Sequence, residues 1–312
     1  MAEIKPRIGL ENRTLLQDVI PLSTPYLVFL DPSDICNAKC QWCPTGSGEA
    51  LKYKKPQLMD FDLYKKIIDD LCEMPDPIKT LRLYKDGEPL LNRDLPKMIQ
   101  YAKDSGRFGQ IDTTTNGIAL TPKLGKKLVD AGLDKIFISV PSDYTEEYRD
   151  QVCNFIVHKG SCKIYVKIIG DHLDNLGREI FYNDFQDADR AFIEYLSPCW
   201  PEFDVGKVGN IGIYGQPIKE VWVCPYIFYS LAINSDGTVS LCFLDWKHGM
   251  ILGDLAKESF KSIWQGHPLT MIRKAHLIAY RDFFKPCRKC GQLTYGAPDD
   301  IDQYSEEILK RL

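Results

Sequence analysis

The sequence predicts an α/β protein, a partial (β/α)6 barrel on a mainly parallel sheet followed by a small C-terminal region of a β-hairpin plus helix. Three observations carry that expectation. From residue 25 to residue 197, short apolar runs alternate with segments whose apolar residues recur at helical spacing. From 198 to 220 that periodicity is lost in a glycine-rich stretch. Cysteines gather in two places, directly after the first apolar run and again beyond residue 220. Strands alternating with helices imply parallel pairing through right-handed crossovers, and such units curl into barrels whose ligand sites lie at the strands' C-terminal ends. The expected partition is a barrel core over residues 1–197, a linker over 198–220 and a smaller region over 221–312.

The elements follow in order. "PYLVFLD" (25–31) is a nearly continuous apolar run, as in strands buried on both faces. "FDLYKKIIDDLCEM" reads as a helix capped by Asp60, and "IKTLRLYK" as the second strand. Helices at "LPKMIQYAKDSG", "PKLGKKLVDAG" and "TEEYRDQVCNFIVHK" then alternate with strands at "QIDTTT", "DKIFISV" and "CKIYVKII". A less regular helix and the strand "AFIEYLS" complete six units. In the C-terminal region, "YSLAINSDGTVSLCFLD" reads as a hairpin turning at Ser235, Asp236 and Gly237. "SFKSIWQGHPLTMIRKAHLIAYRDFF" reads as one helix leading into "CRKCG".

Composition excludes several classes. A hydrophobic fraction of 44% and a charged fraction of 26% suit a folded soluble chain. The opening residues hold no apolar signal core, and the longest apolar run, thirteen residues from Val221, is too short to span a bilayer. A cytoplasmic protein with no membrane partner is expected. A net charge of −4 offers no field for nucleic acid, and the basic run "LKYKK" (51–55) reads as a solvated loop. Eleven cysteines in a reducing compartment point to metal binding or catalysis rather than disulfides.

Cys36, Cys40 and Cys43 leave three readings open: core thiols on one helix face, zinc, or an iron–sulfur cluster. Pro32 and Pro44 crowd any helix there. Structural zinc asks for four N or S ligands, and the next cysteine, Cys72, lies within a predicted helix as an ordinary core thiol. A cubane held by three thiolates keeps one iron open to a small molecule. Cys224, Cys242, Cys287 and Cys290 supply a full set of four, for which spacing alone leaves zinc a serious competitor.

The Cys-x3-Cys-x2-Cys pattern after the first strand, with Trp42 before the last cysteine, resembles the radical S-adenosylmethionine enzymes, whose barrel is TIM-like. The resemblance implies a [4Fe-4S] cluster on Cys36, Cys40 and Cys43. Its open iron would chelate the amino and carboxylate groups of S-adenosylmethionine, whose reductive cleavage gives methionine and a 5′-deoxyadenosyl radical. "KDGEPLLN" looks like that family's Gly-Gly-Glu segment, with Asp86 where a glycine is usual. Gly87 would let the backbone approach the cofactor, and Glu88 would accept from the methionine ammonium. Asn116 in "TTTNG" and Ser139 in "FISV" close the third and fourth strands, where the family contacts the cofactor. Cys224, Cys242, "ILGDL", "SFKSIW" and the closing C-x2-C resemble the extension called SPASM or Twitch. With no cysteine after Cys290, the shorter Twitch form is expected, with one auxiliary [4Fe-4S] cluster on four cysteines.

For the reaction, Cys199 after the sixth strand is a candidate hydrogen-atom donor. His172 and Asp171 after the fifth, with Glu194 and Tyr195 near the end of the sixth, are candidate proton acceptors. Family analogy favours a small polyol, a sugar or aminocyclitol, dehydrogenated or epimerised at a carbinol carbon, with a flavodoxin or ferredoxin-type reductant. Two rivals stand beside it. One is modification of a ribosomal peptide, disfavoured because about two dozen residues precede the first strand, too few for a leader-binding domain. The other is a zinc-stabilised binding module without catalysis.

Overall fold

The computed structural model describes residues 14–170, 173–194, 221–288, 290–293 and 299–312. Among them the strands form one nine-stranded sheet. Strands β1 (Leu27–Leu30), β2 (Ile78–Arg82), β3 (Phe108–Thr115), β4 (Lys135–Val140), β5 (Lys163–Ile169) and β6 (Arg190–Glu194) pair in parallel, each with the next. They are the six predicted strands, and they form the wall of a partial barrel.

After the four-residue helix α1 (Leu16–Val19), the crossovers are α2 (Phe61–Cys72), α3 (Leu95–Asp104), α4 (Pro122–Asp130), α5 (Glu146–Val157) and α6 (Asn175–Asp184). Local chemistry starts them. The Asp60 carboxylate accepts from the N–H groups of Asp62 (2.9 Å) and Leu63 (3.2 Å), as the predicted cap should. Thr121, Thr145 and Asp174 cap α4, α5 and α6 in the same way. Along the strands, alternate residues face the helices and join one hydrophobic core, including Val28, Leu30, Ile136, Ile138, Val166 and Ile168. The intervening residues, Phe29, Arg82, Asp112, Phe137, Tyr165 and Lys167 among them, turn to the opposite face.

The C-terminal hairpin is the predicted one, β7 (Ser230–Ile233) and β8 (Thr238–Ser240), with Gly237 at φ 83° closing its turn. It does not stand apart. β7 pairs in parallel with β1, Leu27 opposite Ser230 and Leu30 opposite Ile233, so it extends the barrel sheet at the free edge of the first strand. A third strand that the sequence did not disclose, β9 (Ile251–Asp254), pairs antiparallel with β8 across a bulge at Val239 and Ser240.

Beyond the four-residue helix α7 (Tyr226–Tyr229), the single long helix expected after Ser259 is instead two, α8 (Phe260–Trp264) and α9 (His267–Leu277). Gly266 sits extended at φ −71° and ψ 155° as the cap of the second, and Pro268, with no N–H, belongs in a first turn rather than an interior. These helices close over the same core. Trp264 is fully buried and donates its indole N–H to the Leu22 carbonyl at 2.9 Å, and the Arg273 guanidinium lies 4.2 Å from its ring centroid. No helix among the described residues is long and apolar enough to cross a membrane. Replacing Asp60 by Ala strands two N–H groups of α2 and should lower stability by about 1 kcal/mol, read as an earlier denaturant midpoint at unchanged slope.

Candidate active site

The chain after β1 runs straight into a pinned turn. Asp31, Ser33 and Asp34 are buried, the Met59 N–H bonds to the Pro32 carbonyl at 3.0 Å, and the Asn92 amide donates to the carbonyls of Pro32 (2.8 Å) and Met59 (3.0 Å). From there the loop carries Cys36, Cys40, half-buried Trp42 and Cys43 without a helix. The Cys43 N–H bonds to the Cys40 carbonyl at 3.2 Å, and the Ala38 N–H points at the Cys36 sulfur at 3.4 Å.

The predicted Gly87 and Glu88 lie against this loop. A Cβ on Gly87 would sit 2.3 Å from the Ser33 carbonyl oxygen and 2.6 Å from that of Ile35. Glycine is therefore needed here for the chain's own packing. The Glu88 N–H bonds to the Ile35 carbonyl at 2.8 Å. Its carboxylate, buried, accepts from the Thr115 hydroxyl (2.6 Å), the Asn116 N–H (2.7 Å) and the Leu90 N–H (3.0 Å). Burial raises its pKa, and those three donors pull it back. Three donors leave a carboxylate with acceptor capacity for one more. Asn116 continues the chain of contacts, its side-chain amide donating to Asn37 Oδ1 at 2.8 Å and lying 3.8 Å from the Cys36 sulfur. Cys loop, Glu88 and Asn116 thus meet.

Asp86 has a different environment from a cofactor-contacting glycine. Its Oδ2 accepts from Lys54 and Lys85, both at 2.5 Å, and lies 3.1 Å from His248 Nε2. Asp34 lies 3.7 Å from Lys54, and Asp31 accepts from the Asp86 N–H at 3.3 Å. Lys54 is thereby a correction to the expected solvated basic loop, since its side chain is only 8% exposed and its ammonium is paired. The set holds three carboxyls against two ammoniums and one imidazole. Burial works against the Asp86 charge, yet Lys85, Lys54 and His248 hold its carboxyl below the usual range. Asp31 goes the other way, pushed up to about 8 by burial and then by the Asp86 charge. One oxygen of each, Oδ1, is buried with no partner among the described residues.

Ser139 is half-buried on β4, opposite Lys167 of β5. Lys167 pairs at 2.8 Å with Glu194 at the end of β6, so that carboxylate is held beside a cation at the barrel mouth. Asp171, His172, Tyr195 and Cys199 lie outside the described residues. Sequence reasoning missed Lys54, Lys85, Asp31, His248 and Thr115. Strand parity could have placed Asp31 and Lys167 on the inner face, but no local signal brings His248 to Asp86.

Both cysteine groups fit an iron–sulfur cluster by the chemistry of their donors. Burial lifts the thiols of the first, with Cys40 pushed up to about 11 as the charges of Cys43 and Cys36 add to it. In the second, burial lifts all four thiols, neighbouring cysteine charges add to the rise at Cys224, Cys242 and Cys287, and Cys224 reaches about 12. Thiols so reluctant to ionise are ordinarily held with a cation that displaces their protons. The Leu244 N–H directed at the Cys242 sulfur at 3.4 Å would stabilise a thiolate.

The chain matches the family model of the Radical SAM superfamily over residues 30–169 and that of the SPASM iron-sulfur cluster-binding domain over residues 224–291. It is 32% identical to a probable GTP 3′,8-cyclase of Methanococcus vannielii over 81% of each chain. With a probable GTP 3′,8-cyclase of Methanococcus maripaludis it is 36% identical over 114 residues, spanning about a third, 36%, of that relative's length. It is 21% identical to the S-adenosyl-L-methionine-dependent 2-deoxy-scyllo-inosamine dehydrogenase of Niallia circulans over 88% of this chain and 96% of that one. The crystal structure of BtrN with AdoMet and 2-DOIA superposes with a TM-score of 0.63 at 19% identity, covering 89% and 97% of the two chains.

Gly87→Ala forces the Glu88 segment off the Cys loop. Iron after anaerobic reconstitution should fall from about eight to about four per chain, with the C-terminal cysteines still loaded. Asp31 binds its proton more tightly folded than unfolded, so it costs stability as pH rises from its ordinary value near 4 toward about 8. Asp31→Asn should therefore gain stability relative to the parent across that window, measured by urea melts at stepped pH.

Proposed function

From a chain that belongs to the radical S-adenosylmethionine superfamily and carries a SPASM-type region, we propose an enzyme that removes hydrogen from a carbinol carbon of a small polyol of the aminocyclitol class, leaving a ketone. The observation that carries this is extent. The match to the 2-deoxy-scyllo-inosamine dehydrogenase runs through 96% of that enzyme and 88% of this chain, so it reaches both the barrel and the C-terminal region.

In this proposal Cys36, Cys40 and Cys43 hold the first cluster, Trp42 lines its loop, and Glu88 takes the methionine ammonium with its remaining acceptor position. Asn116 and Ser139 face the nucleoside. S-adenosylmethionine bound there supplies, on one-electron reduction, the agent that abstracts hydrogen. Cys224, Cys242, Cys287 and Cys290 hold one auxiliary cluster as the outlet for the second electron. Glu194, paired with Lys167 at 2.8 Å, accepts the hydroxyl hydrogen bond and then the proton of the substrate. Asp86, the remaining candidate of this segment, ties Gly87 and Glu88 to Lys54 and His248. His172 and Cys199 remain candidate groups of the mouth, proton acceptor and hydrogen donor respectively, and a cytoplasmic setting with a flavodoxin or ferredoxin-type reductant completes the proposal.

The test is a screen of carbon-deuterated polyols, aminocyclitols, GTP and precursor peptides with reconstituted enzyme and dithionite, following the label into 5′-deoxyadenosine. Deuterium from a carbinol position of a polyol is expected, and Glu194→Gln should slow that turnover about 100-fold while binding S-adenosylmethionine normally. Label arriving only from GTP or a peptide would overturn the proposal.

A further inference from the structure

The loop that carries the first cysteines continues into a segment held by the C-terminal region. After Cys43 the chain turns back on itself, the Ser47 N–H bonding to the Cys43 carbonyl at 2.9 Å. A Cβ on Gly46 would lie 2.7 Å from the Cys40 nitrogen and 2.8 Å from its carbonyl oxygen, so this return packs on the Cys40 backbone. The Ala50 N–H then bonds to the Pro44 carbonyl at 2.9 Å, and the Ala50 carbonyl accepts from Tyr53 (3.0 Å) and Lys54 (3.2 Å). Residues 43–54 are thus one hydrogen-bonded unit, and moving Tyr53 or Lys54 moves the backbone of Cys40 and Cys43.

Two side chains of one short turn hold that unit. The Trp246 ring, 2% exposed, meets Tyr53 edge-on at 5.4 Å, and the Lys247 ammonium lies 4.7 Å from the Tyr53 ring. His248 Nε2 lies 3.1 Å from Asp86 Oδ2 and 3.4 Å from Lys54 Nζ. The turn itself is wound on Asp245, whose carboxylate accepts from the N–H groups of Gly249 (2.9 Å) and Met250 (2.8 Å) and whose carbonyl accepts from the His248 N–H (3.2 Å). The His248 ring takes no part in closing this turn. Its polar contacts among the described residues are with the barrel, and its backbone takes φ 51°, a left-handed conformation that costs a residue with a Cβ.

We propose that the turn 245–250 is a clasp on the loop of Cys36, Cys40 and Cys43, in which His248 and the Tyr53–Trp246 contact position that loop for S-adenosylmethionine. The role is one of packing and hydrogen bonding, and it needs neither a metal at the C-terminal cysteines nor any electron transfer. It rests on the assignment of the cysteine loop and Glu88 to S-adenosylmethionine and is independent of the substrate's identity.

The experiment makes two measurements on the full chain and its variants. In the metal-free chain, a maleimide is followed into each cysteine by peptide mass mapping. Cys36, Cys40 and Cys43 should label about tenfold faster in His248→Ala and in Tyr53→Ala than in the parent, because a lost contact to a charged or aromatic partner raises local opening by that order. Half-buried Cys72 and Cys153, in α2 and α5, should keep the parent's rate. In the anaerobically reconstituted chain, calorimetry should show S-adenosylmethionine binding weakened by a similar factor, since apparent affinity falls with the fraction of chains whose site is in position. His248→Gln, whose amide donates to Asp86 in place of the ring, should return both quantities toward the parent. Tyr53 is 49% exposed, so its variant reads the clasp with the core intact. Equal labelling in the parent and both variants would overturn the proposal. So would faster labelling with unchanged S-adenosylmethionine binding, or an equal rise at Cys72 and Cys153, which marks general loosening of the fold. A parent that bound no S-adenosylmethionine would overturn the loop's assignment and this positioning role together, and the labelling contrast tells that failure from a failure of the clasp.

Discussion

The site depends on one backbone-to-backbone approach, that of Gly87 to the Ser33–Ile35 segment. With any side chain at 87 the two stretches would overlap, and the loop carrying Cys36, Cys40 and Cys43 would lose its floor. With glycine there, the Glu88 N–H reaches Ile35 and the Glu88 carboxylate gathers Leu90, Thr115 and Asn116. The segments after β1, β2 and β3 are fastened to a single buried residue, Glu88, by its backbone N–H and its carboxylate. A parallel sheet makes this economical, because consecutive strand ends already lie side by side on one face.

Next to that carboxylate sits the Asp86 charge group, and burial makes it exacting. Buried charges are tolerated only when paired and hydrogen-bonded, and breaking one partner costs more than the pair contributes. Lys54 comes from the loop beyond the cysteines, Lys85 from the end of β2, and His248 from the C-terminal region, while Lys85 also donates to the Asp245 carbonyl at 3.3 Å. The C-terminal region is thus joined to the barrel by β7 on the edge of β1, by bonds such as that of the Trp264 indole to the Leu22 carbonyl, and by charge at the strand ends, where Asp86 is the anchor.

The two cysteine groups differ in one respect that matters chemically. Three thiols leave a cubane open at one corner and four close it. The first group borders Asn116 and Glu88 at the barrel mouth, and the second lies in the C-terminal region.

Sequence alone determined the six strands and their crossover helices, the Asp60 cap, the hairpin turn at Gly237 and both cysteine groups, because each rests on local periodicity, turn chemistry or short spacing. Glu88 and Asn116 were legible for the same reason, each closing a strand it could be counted from. The break at Gly266 and Pro268 was visible in the letters but overridden by the apolar pattern on either side. Only the tertiary structure decided that β7 joins β1, that Lys54 is buried, and that His248 meets Asp86 across 162 residues. Those are long-range pairings whose energy comes from desolvation and charge brought together by folding, and no window of neighbouring residues carries that information.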